Sequence, residues 1–152
     1  MWIRTEVPSL SPSQVRAHLA GLPRCGDYEV VVRSFRWRTR PRLSGEIDFS
    51  RRRILLGVPE PFVSFGEVVA YGARKLSGPR RARSVRLTRG VTFRSAGEAL
   101  RYLYLHEWMH WYLQERLGRN GWDEVTCERF ALRNFRRPQV GRADARAALP
   151  PQ

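Results

Sequence analysis

From Ala99 onward, apolar and histidine positions follow alternating steps of four and three: Ala99, Leu103, His106, His110, Leu113 and Leu117. That spacing predicts one long helix with a single inward stripe. Its start is marked by Ser95-Ala96-Gly97-Glu98, an S-x-x-E capping box, and its end by Gly118 with the turn-forming Asn120-Gly121 behind it. A second helix begins near Asp123, returned by the turn at 118–121. Upstream, Ser11-Pro12-Ser13-Gln14 starts another helix, with Ser11 as N-cap and Gln14 closing a box, and that helix ends by Gly21-Leu22-Pro23. Tyr28 to Trp37, rich in β-branched and aromatic residues, reads as a strand. Glu46 to Ser50 and Arg53 to Val58 read as a hairpin turning at Arg51-Arg52. Phe65 to Leu76 predicts a helix broken by Gly78-Pro79. Ser84 to Phe93, alternating Val85, Leu87 and Val91 with Arg86 and Arg89, reads as a further strand or a basic arm. Residues 1–137 form a single domain without internal repeats, and 138–152 a loosely ordered, basic, Pro-containing tail.

Composition supports that organisation. With 152 residues and 42% hydrophobic content, the chain can bury a core without disulfide or metal staples. It has no run long and apolar enough for a membrane span, and its first residues lack the apolar stretch of a signal peptide. Cys25 and Cys127 fit no zinc-ribbon or redox spacing; Cys127, which could lie close to a bound metal, reads instead as a buried free thiol, and the setting as reducing and cytoplasmic. Charge adds a second signal. The net charge is +14 with a pI near 11.4, and Lys75 is the one lysine among 28 basic residues. Residues 98–128 hold six acids against three bases, so the rest of the chain carries +17. Arg74 to Arg94 contains eight cations and no acid. Such a surface attracts nucleic acid, anionic lipid or an acidic protein, while the preference for Arg over Lys is also what a GC-rich genome encodes.

The chemistry concentrates in His106-Glu107-Trp108-Met109-His110, an HExxH motif that uses two of the three histidines. Residues four apart share a helix face, so both imidazoles can address one metal ion. Glu107, one residue round from His106, is placed to hold a metal-bound water and take its proton. A catalytic zinc needs a third protein ligand. No histidine occurs after His110, which excludes sites completed by a downstream His. The second helix is acidic instead, with Asp123, Glu124 and Glu128, the last two four apart and so on one face.

At this point the chain resembles the gluzincin metallopeptidases, in which an HExxH helix is succeeded by a helix carrying [N/D]-E-x-x-[S/small]-[D/E]. Asp123-Glu124 and Cys127-Glu128 fall on that pattern. The stretch is also similar to the tail of the ImmA/IrrE-type peptidases, which read E-x-E-A-N-x-F-A. There Glu124, Phe130 and Ala131 match, while Cys127 and Glu128 depart from the usual Ala and Asn. The resemblance covers residues 95–131. It implies Glu124 as third zinc ligand, Asp123 as the alternative, and Glu128 as acceptor from a ligand histidine's free N–H. It also implies an α+β fold of minimal zincin type, a small twisted sheet packed on the long HExxH helix. An edge strand, for which the Glu46–Val58 hairpin is the candidate, would pair with an extended peptide substrate.

On that resemblance Zn²⁺ held by His106, His110 and Glu124 acidifies its water, and Glu107 serves as general base. Gluzincins usually add a downstream His or Tyr against the oxyanion, and neither residue type occurs after Tyr112. Arg129, Arg133, Tyr102 and Tyr104 are the alternatives, and the sequence selects none of them. Trp108, Trp111 and Trp122 flank the motif, as core or as pocket wall. The leading expectation is a monomeric, cytoplasmic zinc metallopeptidase acting on a peptide or protein. The alternative is an arginine-rich nucleic-acid-binding protein, its contact surface Arg74–Arg94, with a structural or inactive zinc site. A third reading is a metal-dependent hydrolase of another acyl bond.

Overall fold

Strands rich in Val, Ile and Leu build the first layer of the computed structural model, which describes residues 1–35, 41–78, 83–121 and 123–151. β1 (Trp2–Thr5), β2 (Glu29–Phe35), β3 (Ser44–Asp48) and β4 (Arg53–Pro59) form a sheet in the order β1-β2-β4-β3. β1, β2 and β4 run parallel, and β3 pairs antiparallel with β4 at the edge. The register sets Val30 beside Ile54 and Val32 beside Leu56, with Ile47 beside Ile54. These five side chains share one face, and all are buried. Burying each contributes about 1.5–3 kcal/mol. The expected hairpin is therefore present, and Arg52 turns it in the left-handed region at φ 50°. Asp48 closes the turn by accepting from the Ser50 hydroxyl at 2.7 Å and the Arg51 amide at 3.0 Å. Trp37, the expected end of β2, lies outside the described residues.

The connection from β1 to β2 contains α1 (Pro12–His18), capped by Ser11 and Gln14 in the reciprocal box read from the sequence. The second layer is α2 (Ala96–Trp111), which packs against β3 and β4 of the sheet, α1 and the helix that starts at Glu124. Ala99, Leu100, Leu103, Tyr104, Leu105, Trp108 and Met109 are all buried, so α2 is apolar around most of its circumference, as a central helix must be. Its N-cap is Ser95, but the box does not close as expected. Glu98 instead accepts from the Arg94 amide at 2.9 Å and from Arg136 Nε at 3.1 Å. The α-helix also stops earlier than predicted. Tyr112–Arg116 form a π-helical turn, ended by Gly118 at φ 57°.

Phe65–Leu76, expected as a helix, is strand β5, paired antiparallel with β6 (Arg83–Phe93) in a separate two-stranded sheet. The pairing settles the open reading of Ser84–Phe93 in favour of a strand. A bulge between Ala70 and Gly72 breaks the alternation along β5 and brings apolar residues to helix-like spacing. Gly66 and Gly72 argued against a helix, because each costs about 1 kcal/mol there. Phe65, Val69, Val91 and Phe93 anchor the hairpin's base in the core, and the far ends of both strands are exposed.

α3 (Glu124–Asn134) packs on α2 and β5, and Asp123 is its N-cap, accepting from the Thr126 amide at 3.1 Å. The segment after Pro138 corrects the expectation of a loose tail. It carries α4 (Arg142–Ala148), and Val140, Ala145 and Ala148 of the segment are buried. Arg129 ties this segment down, donating to the Ala148 carbonyl at 2.9 Å and the Tyr71 carbonyl at 3.2 Å. The architecture is α+β. No helix among the described residues is long and apolar enough to cross a membrane.

Candidate metal centre

The helical step of four does place His106 and His110 together. Their Nε2 atoms lie 3.0 Å apart. α3 brings Glu124 against them, with Oε2 3.2 Å from His106 Nε2 and Oε1 3.4 Å from His110 Nε2. One donor atom from each of the three falls within 4.8 Å of the others, a group able to hold a metal ion. A tetrahedral zinc with bonds of about 2.0–2.1 Å spaces its donors by about 3.4 Å. The two Nε2 atoms lie somewhat closer than that, each imidazole faces a different oxygen of Glu124, and two imidazoles with one carboxylate form a donor set suited to a divalent transition metal. Asp123, the alternative ligand, is instead spent capping α3.

The second nitrogens differ: that of His110 is hydrogen-bonded, and that of His106 faces a carboxylate beyond hydrogen-bond distance. His110 Nδ1 pairs with the Gly121 carbonyl in the turn between α2 and α3, which leaves Nε2 facing inward. A Cβ at Gly121 would fall 2.9 Å from Gln114 Oε1 and 3.2 Å from the His110 carbonyl, so the turn needs glycine to come this close. His106 Nδ1 faces Glu128 Oε1 at 3.7 Å. The other oxygen of Glu128 accepts from the Tyr102 hydroxyl. Tyr102 in turn is packed edge-on against Phe93 and Phe135. A chain of contacts thus runs from the core through Glu128 to His106.

Burial alone would lower the His106 pKa, but the hydrogen bond to Glu124 and the charges of Glu107, Glu128 and Glu124 raise it. Burial lowers that of His110. The hydrogen bond with His106 holds Glu124 below the usual carboxylate range. Glu124 leaves 61% of its side chain accessible while His110 leaves 3%, so the centre opens to solvent on the α3 side.

Glu107 is only 5% exposed. Burial pushes its carboxyl up to about 7; His106 opposes the rise, and Glu124, Glu128 and Glu46 add to it. β3 passes directly over it. A Cβ on Gly45 would lie 2.6 Å from Glu107 Oε1 and 3.2 Å from Leu103 Cδ2. Sequence reasoning did not single out Gly45, although a glycine inside a strand is a recognised mark of close approach.

The expected oxyanion candidates fare unequally. Tyr104 is buried and donates to the Pro23 carbonyl at 2.7 Å, and Arg129 is engaged with Ala148 and Tyr71. Arg133 stands at the far end of α3, and the Tyr102 hydroxyl is bound to Glu128. Trp108 and Trp111 are core residues. Trp108 is fully buried, stacked on Tyr112 at 5.0 Å, and donates Nε1 to the Arg24 carbonyl at 3.0 Å. Trp122 lies outside the described residues. Cys127 is fully buried, Cys25 nearly so, and both are free thiols.

Comparison with family models, with curated proteins and with solved structures finds no match.

Proposed function

We propose that this chain is a zinc-dependent metallopeptidase, with His106, His110 and Glu124 as ligands and Glu107 as general base. The observation that carries the reading is the convergence of His106 Nε2, His110 Nε2 and the Glu124 carboxylate, one donor atom from each lying within 4.8 Å of the others, beside the buried Glu107 carboxyl on the helix that carries both histidines. When bound, zinc supplies a Lewis acid and a water acidified toward a pKa of about 7.

Everything else in the mechanism falls to this chain's residues. Glu107, its carboxyl raised by burial to about 7, is matched to accept the attacking water's proton near neutrality and return it to the leaving amine. Glu128 orients the His106 ring through Nδ1, and Gly121 orients His110. β3 is the edge of its sheet, next to Glu107, and its outer backbone suits an extended peptide added as a further strand. That makes a peptide or protein the substrate class. The two buried thiols accord with a reducing, cytoplasmic setting.

Elemental analysis of wild type, Glu124→Ala and Glu107→Gln, alongside hydrolysis of a mixed peptide library, tests the reading. One zinc per chain in wild type, largely lost with Glu124→Ala, would support the ligand set. Glu107→Gln should keep the zinc and lose hydrolysis. A wild-type protein that takes up no zinc on reconstitution would sink the proposal. Zinc with hydrolysis of esters or other acyl groups alone would move it to another metal-dependent hydrolase.

A further inference from the structure

Four arginines from two elements open onto one cavity at the base of the β5–β6 hairpin. The cavity holds about 310 Å³, and Arg89, Arg94, Arg133 and Arg136 line it with Thr92 and Phe135. Arg136 is fixed in the wall: it donates to Glu98 at 3.1 Å and to the Thr92 carbonyl at 2.9 Å, and lies 4.6 Å from the Phe135 ring centre. Glu98 is the acid that serves this group, also accepting from the Arg94 amide. Among the described residues, the side chains of Arg89 and Arg133 make no hydrogen bond or ion pair, and Arg133 has the like charge of Arg129 beside it. Four guanidiniums against one carboxylate leave a surplus that an anion would offset. The C-terminal end of α3 accounts for cations at Arg133 and Arg136, but not for Arg89 on β6 and Arg94 just after it.

The cations continue outward. Arg86 and Arg83 come next on β6, and Arg74 and Lys75 on β5, all exposed. Arg83 and Arg89 are six steps apart along the strand, about 20 Å at a strand's rise per residue. A small anion would use the pocket alone, whereas a track of this length suits a polymer of phosphates. Alternate residues of β6 point to opposite faces, so Arg83 and Arg89 lie on one and Arg86 on the other. That arrangement fits a ligand that wraps a two-stranded ribbon better than it fits a flat headgroup plane. Guanidinium forks also match phosphate bidentately.

We propose that this pocket and hairpin bind the phosphodiester backbone of a nucleic acid, the pocket seating a phosphate and the hairpin cations tracking the strand. Contacts of this kind position without reading bases, so binding is independent of sequence.

The test is fluorescence anisotropy of a labelled oligonucleotide, single-stranded and duplex, across a KCl series. Arg89→Gln/Arg133→Gln is compared with Arg16→Gln/Arg119→Gln, which removes the same charge from exposed positions elsewhere. The pocket pair should weaken binding by about tenfold or more and reduce the salt slope by about 2, with its melting curve unchanged. The remote pair should change affinity by less than about threefold. Equal losses in both pairs would reduce the effect to overall charge and overturn the proposal. So would a wild type that binds no oligonucleotide, one that holds inorganic phosphate as tightly as the oligonucleotide, or one captured by phosphatidylserine vesicles in its place. No metal enters the measurement, so its failure leaves the peptidase reading intact.

Discussion

Gly45 and Glu107 are in direct apposition: a methyl group on the glycine would sit 2.6 Å from the carboxylate Oε1. The edge strand therefore comes close to the HExxH helix only because residue 45 has no side chain. Gly45→Ala should push Glu107 off its position, since Leu103 Cδ2 at 3.2 Å blocks relief on that side. A displacement of about 1 Å in a reacting group costs on the order of 100-fold. On the proposed peptidase reading, kcat/KM on a peptide substrate should fall about 10- to 100-fold with metal content unchanged. A fully active Gly45→Ala protein would show that Glu107 works from another position.

Glu128 is expected to act on metal affinity through His106. Glu128→Ala removes the partner of His106 Nδ1, and loss of such an outer contact weakens metal binding about 10- to 100-fold. Tyr102→Phe removes only the hydroxyl that holds Glu128, so its effect should be smaller and should vanish in the Glu128→Ala background. Zinc competition with a chromophoric chelator measures both. Additive losses in the double variant would disconnect Tyr102 from the path.

The two histidines were legible because they lie on one helix, where spacing dictates facing, whereas Glu124 as their partner came from the resemblance to gluzincin peptidases. His106, Glu107 and His110 come directly from the helical period, and Asp123 marked the start of the helix that carries Glu124. The long-range parts were not legible. Glu98 was expected to close a box on Ser95 but was drawn to Arg94 and Arg136, a partner 38 residues away. β5 was misread because a bulge at Ala70/Gly72 destroys its period of two, and its strand identity depends on β6. Gly45 carried a signal in being a glycine within a strand. What it faces, however, was set by the docking of sheet on helix, which no local pattern records.

Arg101 joins the ends of α1 and α3. Its Nε donates to the Phe135 carbonyl at 2.8 Å, one Nη to the carbonyls of His18 at 2.8 Å and Ala20 at 3.0 Å, and the other to Arg137. These are carbonyls at or just past helix C-termini, where intrahelical partners run out. Arg101→Met keeps the stem and removes every donor. We expect a loss of about 2–4 kcal/mol, read as a lower urea midpoint at unchanged slope. A shift under about 0.5 kcal/mol would mean that water replaces the guanidinium without cost.

Asp144 gives the docked C-terminal segment an acid limit. It accepts from the Gly141 amide at 2.8 Å and from Arg137, and these bonds hold its carboxyl below the usual carboxylate range. The folded pKa lies under the unfolded value of about 3.9. The stabilisation is therefore complete above that unfolded value and is lost as pH falls through the folded one. Wild type should exceed Asp144→Asn in stability at neutral pH, and the gap should close as pH drops below about 4. Urea midpoints of the two proteins measured from neutral pH downward test this. A gap that stays constant to the lowest pH would mean that the Asp144 charge contributes nothing to holding α4.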